Sequence, residues 1–254
     1  MANEKYKRHS AMIDPDDTVI LLIDQQSGLF QTVKDLEQEE LRGNVVALAK
    51  LARLLNLPVI TTASAPDGPN GPLIPEIGEI LPEAVYVPRK GQINAWDTPE
   101  FVQAVEATRR KTLVMAATLS NVCLAFPAIS AAADGYKVYA LMDASGSWST
   151  FSKDIVLARL TQAGVIPTDV IALVSELQQT WARPEAQQFA ELHASRMPNY
   201  KLLIESYGRA QQVARIGNQD ADKPTTLGNP AGGIVAEIAV EESGDLMIRA
   251  SSLN

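Results

Sequence analysis

The sequence predicts a three-layer α/β/α sandwich with a six-stranded, mostly parallel, Rossmann-like sheet. Two patterns predict it. Apolar, β-branched runs without polar alternation recur along the chain, as expected for strands buried on both faces. Segments of helical periodicity separate them, and strict alternation of strand and helix implies parallel pairing with helices on both faces. The length of 254 residues, with 46% hydrophobic and 20% charged, is enough for one large core.

TVILLID (18–24) opens the sheet. A helix is expected over 44–56, and LPVITTAS (57–64) reads as the second strand. Residues 65–83 are rich in Pro and Gly and are expected to be a loop with at most one helical turn. AVYVP (84–88) is a short strand. Thr98 then caps a helix that begins at Pro99, where a missing N–H costs nothing, and runs to Arg110. TLVMAAT (112–118) is the next strand, followed by a helix from Ser120 to Asp134 and the strand KVYALMD (137–143). Ser152 is expected to cap a helix ending at Ala163–Gly164, and Thr168 one ending near Gln179.

Past Trp181 the pattern changes. Residues 184–197 read as an amphipathic helix with Phe189, Leu192 and Met197 on its apolar side. Residues 216–232 read as a linker, and IVAEIAV and LMIRA, joined by EESGD, as a β-hairpin. The expected organisation is a main α/β domain over 1–207 and a C-terminal extension over 208–254, too short for its own core. The extension is expected to dock on the main domain or across a subunit contact.

The net charge of −8 argues against nucleic acid and anionic membrane as partners, since both require a basic face. One cysteine excludes an internal disulfide, the N-terminal segment lacks the apolar stretch of a secretory signal, and no apolar run approaches membrane-spanning length. A cytoplasmic location is expected.

In open α/β sheets the site lies beyond the carboxyl ends of the strands. Asp24 ends the first strand, Arg89 and Lys90 follow the third, and Cys123 starts the helix after the fourth. A strand-end Asp also serves simply to tie down a loop, a lone Lys is more often solvated, and a lone Cys is more often a small buried hydrophobe. Charge alone does not choose between Arg89 and Lys90. With Ser120 as the cap, Cys123 falls in the first helical turn, where backbone amides favour a thiolate. Pro127 cannot donate to the Cys123 carbonyl, so that turn is expected to be bent. His9 and His193 are the only histidines and neither ends a strand, which disfavours Cys/His, Ser/His and zinc or iron sites. No GxGxxG or GxxxxGK[ST] supports nucleotide binding.

LLIDQQSGLF (21–30), KGQINAW (90–96), ATLSNVCLAFPAISAAADGYKV (117–138) and DASGSWS (143–149) together resemble the isochorismatase-like cysteine hydrolases, in particular the YcaC-type branch, over roughly residues 14–207. The resemblance implies a catalytic triad of Asp24, Lys90 and Cys123. In it Asp24 takes the thiol proton, Lys90 stands between the two anionic groups and Cys123 forms a thioester. It implies a cis Thr118–Leu119 peptide, with the Leu119 and Cys123 amides as the oxyanion hole. It implies a homo-oligomer, a small-molecule substrate, and no cofactor. The family's usual Gly and Thr are Ala117 and Ser120 here, and Ser120 keeps a capping hydroxyl. ASAPDGPNGPLIPE (63–76) has no histidine, so the metal site of nicotinamidase relatives is absent, and the retained cysteine favours an amide-like C–N bond as target. Phe30, Trp96, Trp148 and Phe151 are candidates for an apolar substrate pocket, with core packing as the alternative for each. A non-catalytic assembly protein, and a lyase or isomerase using the same pocket, are the competing readings.

Overall fold

Strand β1 (Thr18–Ile23) lies at the centre of the sheet, and its neighbour β4 (Thr112–Ala117) is equally apolar; every residue of both is buried. The computed structural model describes His9 and residues 11–216, 235–240 and 246–251. The chain forms two compact units, Met1–Leu177 and Gln178–Asn254.

In the first unit, β1 is followed by α1 (Ser27–Phe30) and α2 (Gln38–Leu54), then by β2 (Val59–Ser64), α3 (Pro75–Ile80) and β3 (Val85–Arg89). Next come α4 (Pro99–Ala107), β4, a π turn (Ser120–Leu124) and α5 (Ala125–Ala133). The unit closes with β5 (Lys137–Leu141), α6 (Thr150–Gln162), β6 (Ile166–Thr168) and α7 (Val170–Gln178), whose last residue crosses the unit boundary. The sheet is wholly parallel in the order β3-β2-β1-β4-β5-β6. Val19, Leu21 and Ile23 share a core with α4, α5 and α6. The alternate residues Ile20 and Leu22 face the opposite side, the side on which right-handed crossovers place α2 and α3.

The six-stranded sandwich expected from the sequence is present. Its sixth strand, β6, is a three-residue edge segment with proline at its centre, which leaves no apolar run to recognise. Helix capping differs in detail. Ser149, not Ser152, caps α6, and its side chain accepts the Ser152 N–H at 3.1 Å. Thr168 belongs to β6, and Asp169 accepts the Ala172 N–H at 2.7 Å as the cap of α7. Thr98 sits at the start of α4 as expected, but its buried hydroxyl makes no capping bond. Gly164 follows the end of α6 with φ +79°, a left-handed conformation that glycine adopts without strain.

In the second unit, α8 (Ala186–Arg196) matches the expected helix, with Phe189 and Leu192 buried. Helix α9 (Pro198–Ile216) was not expected, and the 207/208 boundary falls inside it. The predicted hairpin strands pair antiparallel as β7 (Val235–Val240) and β8 (Leu246–Ser251). Residues 217–232 of the expected linker and the EESGD connection lie outside the described residues.

Asp143, just past β5, clamps the start of α7. Both its carboxylate oxygens accept the Val170 N–H, at 3.0 and 3.2 Å. Burial raises its pKa to about 6, opposed by the Val170 bond and reinforced by Asp169. A folded pKa above the unfolded value means stability is fully present below the ordinary carboxylate range and is lost as pH rises toward 6. Asp143→Asn keeps an acceptor for Val170 without the buried charge. The variant is therefore expected to melt above wild type at pH 7.5, with a gap that narrows at pH 4. An equal gap at both pH values, measured by thermal unfolding, refutes this account.

Candidate active site

The sheet order reverses between β1 and β4, since the chain leaves β1 toward β2 on one side and later returns to β4 on the other. This switch point opens a crevice at the strands' carboxyl ends. The register sets Ile23 beside both Thr62 and Ala117, so the residues that follow β1, β2 and β4 emerge together.

Asp24 leaves β1 with φ +54°, a left-handed conformation that Asp tolerates better than most residues. Its N–H donates to the Thr62 carbonyl at 2.9 Å, and its Oδ1 accepts the Ser64 N–H at 3.1 Å. The same oxygen forms a short ion pair with the Arg89 guanidinium, and both side chains are almost wholly shielded from solvent. Arg89 reaches across β2 to do so. Its Nε donates to Thr62 Oγ1 at 3.1 Å, and its Nη1 to the Gln92 and Ile93 carbonyls at 2.6 and 3.4 Å. Two strand spacings, roughly 10 Å, separate β3 from β1, and the long planar guanidinium spans them.

Lys90 is exposed. The position expected for it, against Asp24, is filled by Arg89. Strand alternation explains the placement: Val87 and Arg89 are the buried positions of β3, and Lys90 continues the outward set with Pro88. The KGQINAW segment thus begins one residue after the cation that is buried against Asp24.

The Thr118–Leu119 peptide is cis, as the family resemblance implies. In the π turn that follows, the N–H groups of Val122, Cys123 and Leu124 converge on the Leu119 carbonyl at 3.2, 2.8 and 3.3 Å. Pro127 lacks the N–H that an ordinary helix would aim at the Cys123 carbonyl, in keeping with the irregular turn. Ser120 is not its cap: Leu119 holds that position, while the Ser120 hydroxyl forms a short hydrogen bond to that of Ser147. The Ser120 N–H donates to the Gly146 carbonyl at 2.8 Å. Gly146 is obligatory there, because a Cβ would stand 2.5 Å from Val33 Cγ2.

Cys123 is half-buried on this turn, close enough to the Asp24 carboxylate for the acid to act on its thiol. Burial pushes the thiol pKa well above its ordinary range, and Asp24 adds to the rise by charge and hydrogen bond; the Leu119 N–H and Arg89 act in the other direction. This reverses the expectation that helix amides pull it down. Of the two expected oxyanion donors, the Leu119 N–H lies near enough to the sulfur to oppose the rise in its pKa, whereas the Cys123 N–H is engaged within the turn.

The four apolar pocket candidates are dispersed. Phe30 is buried, and Trp96 belongs to the core, edge-on to Phe101 and Tyr136 with its Nε1 donating to Asp134 at 2.7 Å. Trp148 and Phe151 are exposed. Sequence reasoning gave no part to the two buried glutamines after Asp24. Gln25 accepts from the Thr118 hydroxyl at 3.0 Å and donates to the Ala144 carbonyl at 3.0 Å, while Gln26 accepts the Ser64 N–H at 3.1 Å. They fasten the ends of β1, β2 and β4 to one another, and two amides directly after a strand-end acid were the available signal. Among the described residues, no group of three or more His, Cys, Asp or Glu could hold a metal ion.

The isochorismatase domain model matches residues 18–172. The chain belongs to the isochorismatase family. It is 40% identical over 195 residues to the probable hydrolase YcaC of Escherichia coli K12, covering 77% of this chain and 93% of that one. The solved structure of the E. coli ycaC product is described as an octameric hydrolase of unknown specificity. It aligns with TM-score 0.76 at 40% identity over 80% of this chain and 98% of that one. YcaC from Pseudomonas aeruginosa, solved with hexane-2,5-diol and covalent acrylamide, aligns equally well at 40% identity, over 80% of this chain and all of that one. The family match spans β1 to the start of α7 and therefore contains every residue of the crevice described above.

The two basic neighbours are expected to separate cleanly. Arg89→Met leaves a buried carboxylate without its partner and is expected to cost about 3–5 kcal/mol. Lys90→Ala is expected to stay within about 0.5 kcal/mol of wild type, as surface changes do. Chemical denaturation of both variants checks this, and a larger loss for Lys90→Ala contradicts the placement.

Proposed function

We propose that this isochorismatase-family hydrolase cleaves a small amide-like C–N bond through a thioester on Cys123. The observation that carries the reading is the Cys123 thiol set beside a buried carboxylate that is itself fixed by Arg89. The resting nucleophile is a neutral thiol. As sulfur attacks the substrate carbonyl, Asp24 takes its proton, and the new S–C bond forms while the carbonyl becomes an oxyanion. In this reading the Leu119 amide donates to that oxyanion. The proton passes to the nitrogen, the C–N bond breaks and the amine leaves. Water then attacks the thioester with Asp24 as base, and the thiol is restored. In this reading Arg89, rather than Lys90, supplies the fixed positive charge. The covalent acrylamide in the Pseudomonas relative supports only the presence of a nucleophile in that protein, acrylamide being a small conjugated electrophile.

We also propose that copies of this chain form a homo-oligomer, as the octameric E. coli relative does.

Alkylation by iodoacetamide is expected to titrate above the ordinary thiol range of about 8.5. Asp24→Asn, which removes the repelling carboxylate, is expected to bring the titration down. A wild-type midpoint below that range would mean a preformed thiolate and reverse the order of proton transfer. For the reaction itself, a panel of small amides is assayed for amine release, with acid quenching and mass analysis of the Cys123 peptide. An acyl adduct, absent in Cys123→Ser, is the expected result. Turnover without an adduct would favour the lyase or isomerase reading.

A further inference from the structure

Helix α6 buries Ser152, Val156 and Leu160 against the sheet, as an outer-layer helix should. Its flank is less usual. Phe151 and Ile155 are one turn apart on α6, and Trp148 stands just before the helix cap Ser149, so the three form an apolar stripe along the start of the helix. They are 53%, 73% and 47% exposed, where a solvated helix face would carry charge. The stripe begins one residue after Ser147, whose hydroxyl is joined to Ser120 in the turn that carries Cys123. It is thus attached to the wall of the site.

We infer that this stripe is a contact surface for a second copy of the same chain, and that the second copy screens Cys123 from solvent. The inference rests on the homo-oligomer reading above. Two large aromatics and an isoleucine at these exposures offer roughly 300 Å² of apolar area, within the range of a functional surface patch. A stable interface needs about 800 Å² from each partner, so the stripe suits its apolar centre, with a polar rim around it. Exposed Asp154 and Arg159 flank it on the same helix. Antiparallel packing of two α6 helices sets the acid of each copy toward the base of the other, so the rim is self-complementary, as a twofold contact requires. A further exposed apolar run among the described residues, Leu202, Leu203 and Ile204 on α9, consists of consecutive helical residues, which turn about 100° per step and present no single face.

The test compares the full-length wild type with Phe151→Glu/Ile155→Glu and Leu202→Glu/Leu203→Glu by light scattering, with circular dichroism to establish folding. Wild type is expected to be an assembly, the α6 variant to fall to a smaller species, and the α9 variant to keep the wild-type mass. Cys123 alkylation at fixed pH is expected to be several-fold faster in the α6 variant. A monomeric wild type overturns the homo-oligomer reading and this inference with it. An assembled wild type with an unchanged α6 variant overturns this inference alone, as does dissociation of the α9 variant in its place. Dissociation of the α6 variant at an unchanged alkylation rate shows that the site is complete in one copy and overturns the screening. If the α6 variant is unfolded, Phe151→Ala/Ile155→Ala is put through the same measurements.

Discussion

The buried ion pair between Asp24 and Arg89 is the constraint on which the rim of the sheet depends. A lone carboxylate at the end of an all-apolar strand would be costly, and so would a lone guanidinium inside β3. Each supplies the other's charge, and Ser64, Thr62, Gln92 and Ile93 take up the remaining hydrogen-bonding capacity. The pair thereby ties β1 to β3 through β2. Cys123 then meets a carboxylate whose position is already set, on a turn held from one side by Gly146 and Ser147 and from the other by its own convergence on the Leu119 carbonyl. The contacts of Asp24 with Ser64 and Arg89, and of Ser120 with Ser147, join distant parts of the chain, and the parallel sheet with its switch point makes them possible.

Much of this was legible in the sequence where a residue's environment follows from its neighbours along the chain. β1 and β4 announce themselves because six consecutive apolar or β-branched residues suit only a strand covered on both faces. Asp24 and Cys123 followed from the rule that sites sit beyond strand ends. What was missed depends on pairing. β6 is held by β5 rather than by its own composition. Ser149 and Ser152 are both capping residues, and only the backbone decides which one accepts and which one donates. Arg89 and Lys90 are equal as charges. Extending the expected strand by one residue and applying its period of two would have turned Arg89 inward and Lys90 outward.

The environment of Cys123 shows how two rules of thumb compete. Position in a first helical turn favours a thiolate, and that was the basis for expecting a lowered pKa. The turn is instead a π turn, with three of its amides spent on one carbonyl, and the sulfur is left against a carboxylate in a poorly hydrated pocket. Desolvation and like charge then outweigh the amides. Such a thiol is quiet toward adventitious electrophiles and depends on a base in place, which suits a residue that must wait for its substrate.

β3 is the outermost strand on its side of the sheet, hydrogen-bonded to β2 alone. Edge strands open at lower free energy than central ones, on the low end of the hierarchy that hydrogen exchange reveals. Here the edge strand carries the counter-charge of the central acid. When it peels away, the sheet and its core can persist while the acid loses its partner and the crevice loses one wall. Local opening at this one margin of the sheet is therefore expected to disable the crevice before the fold is lost.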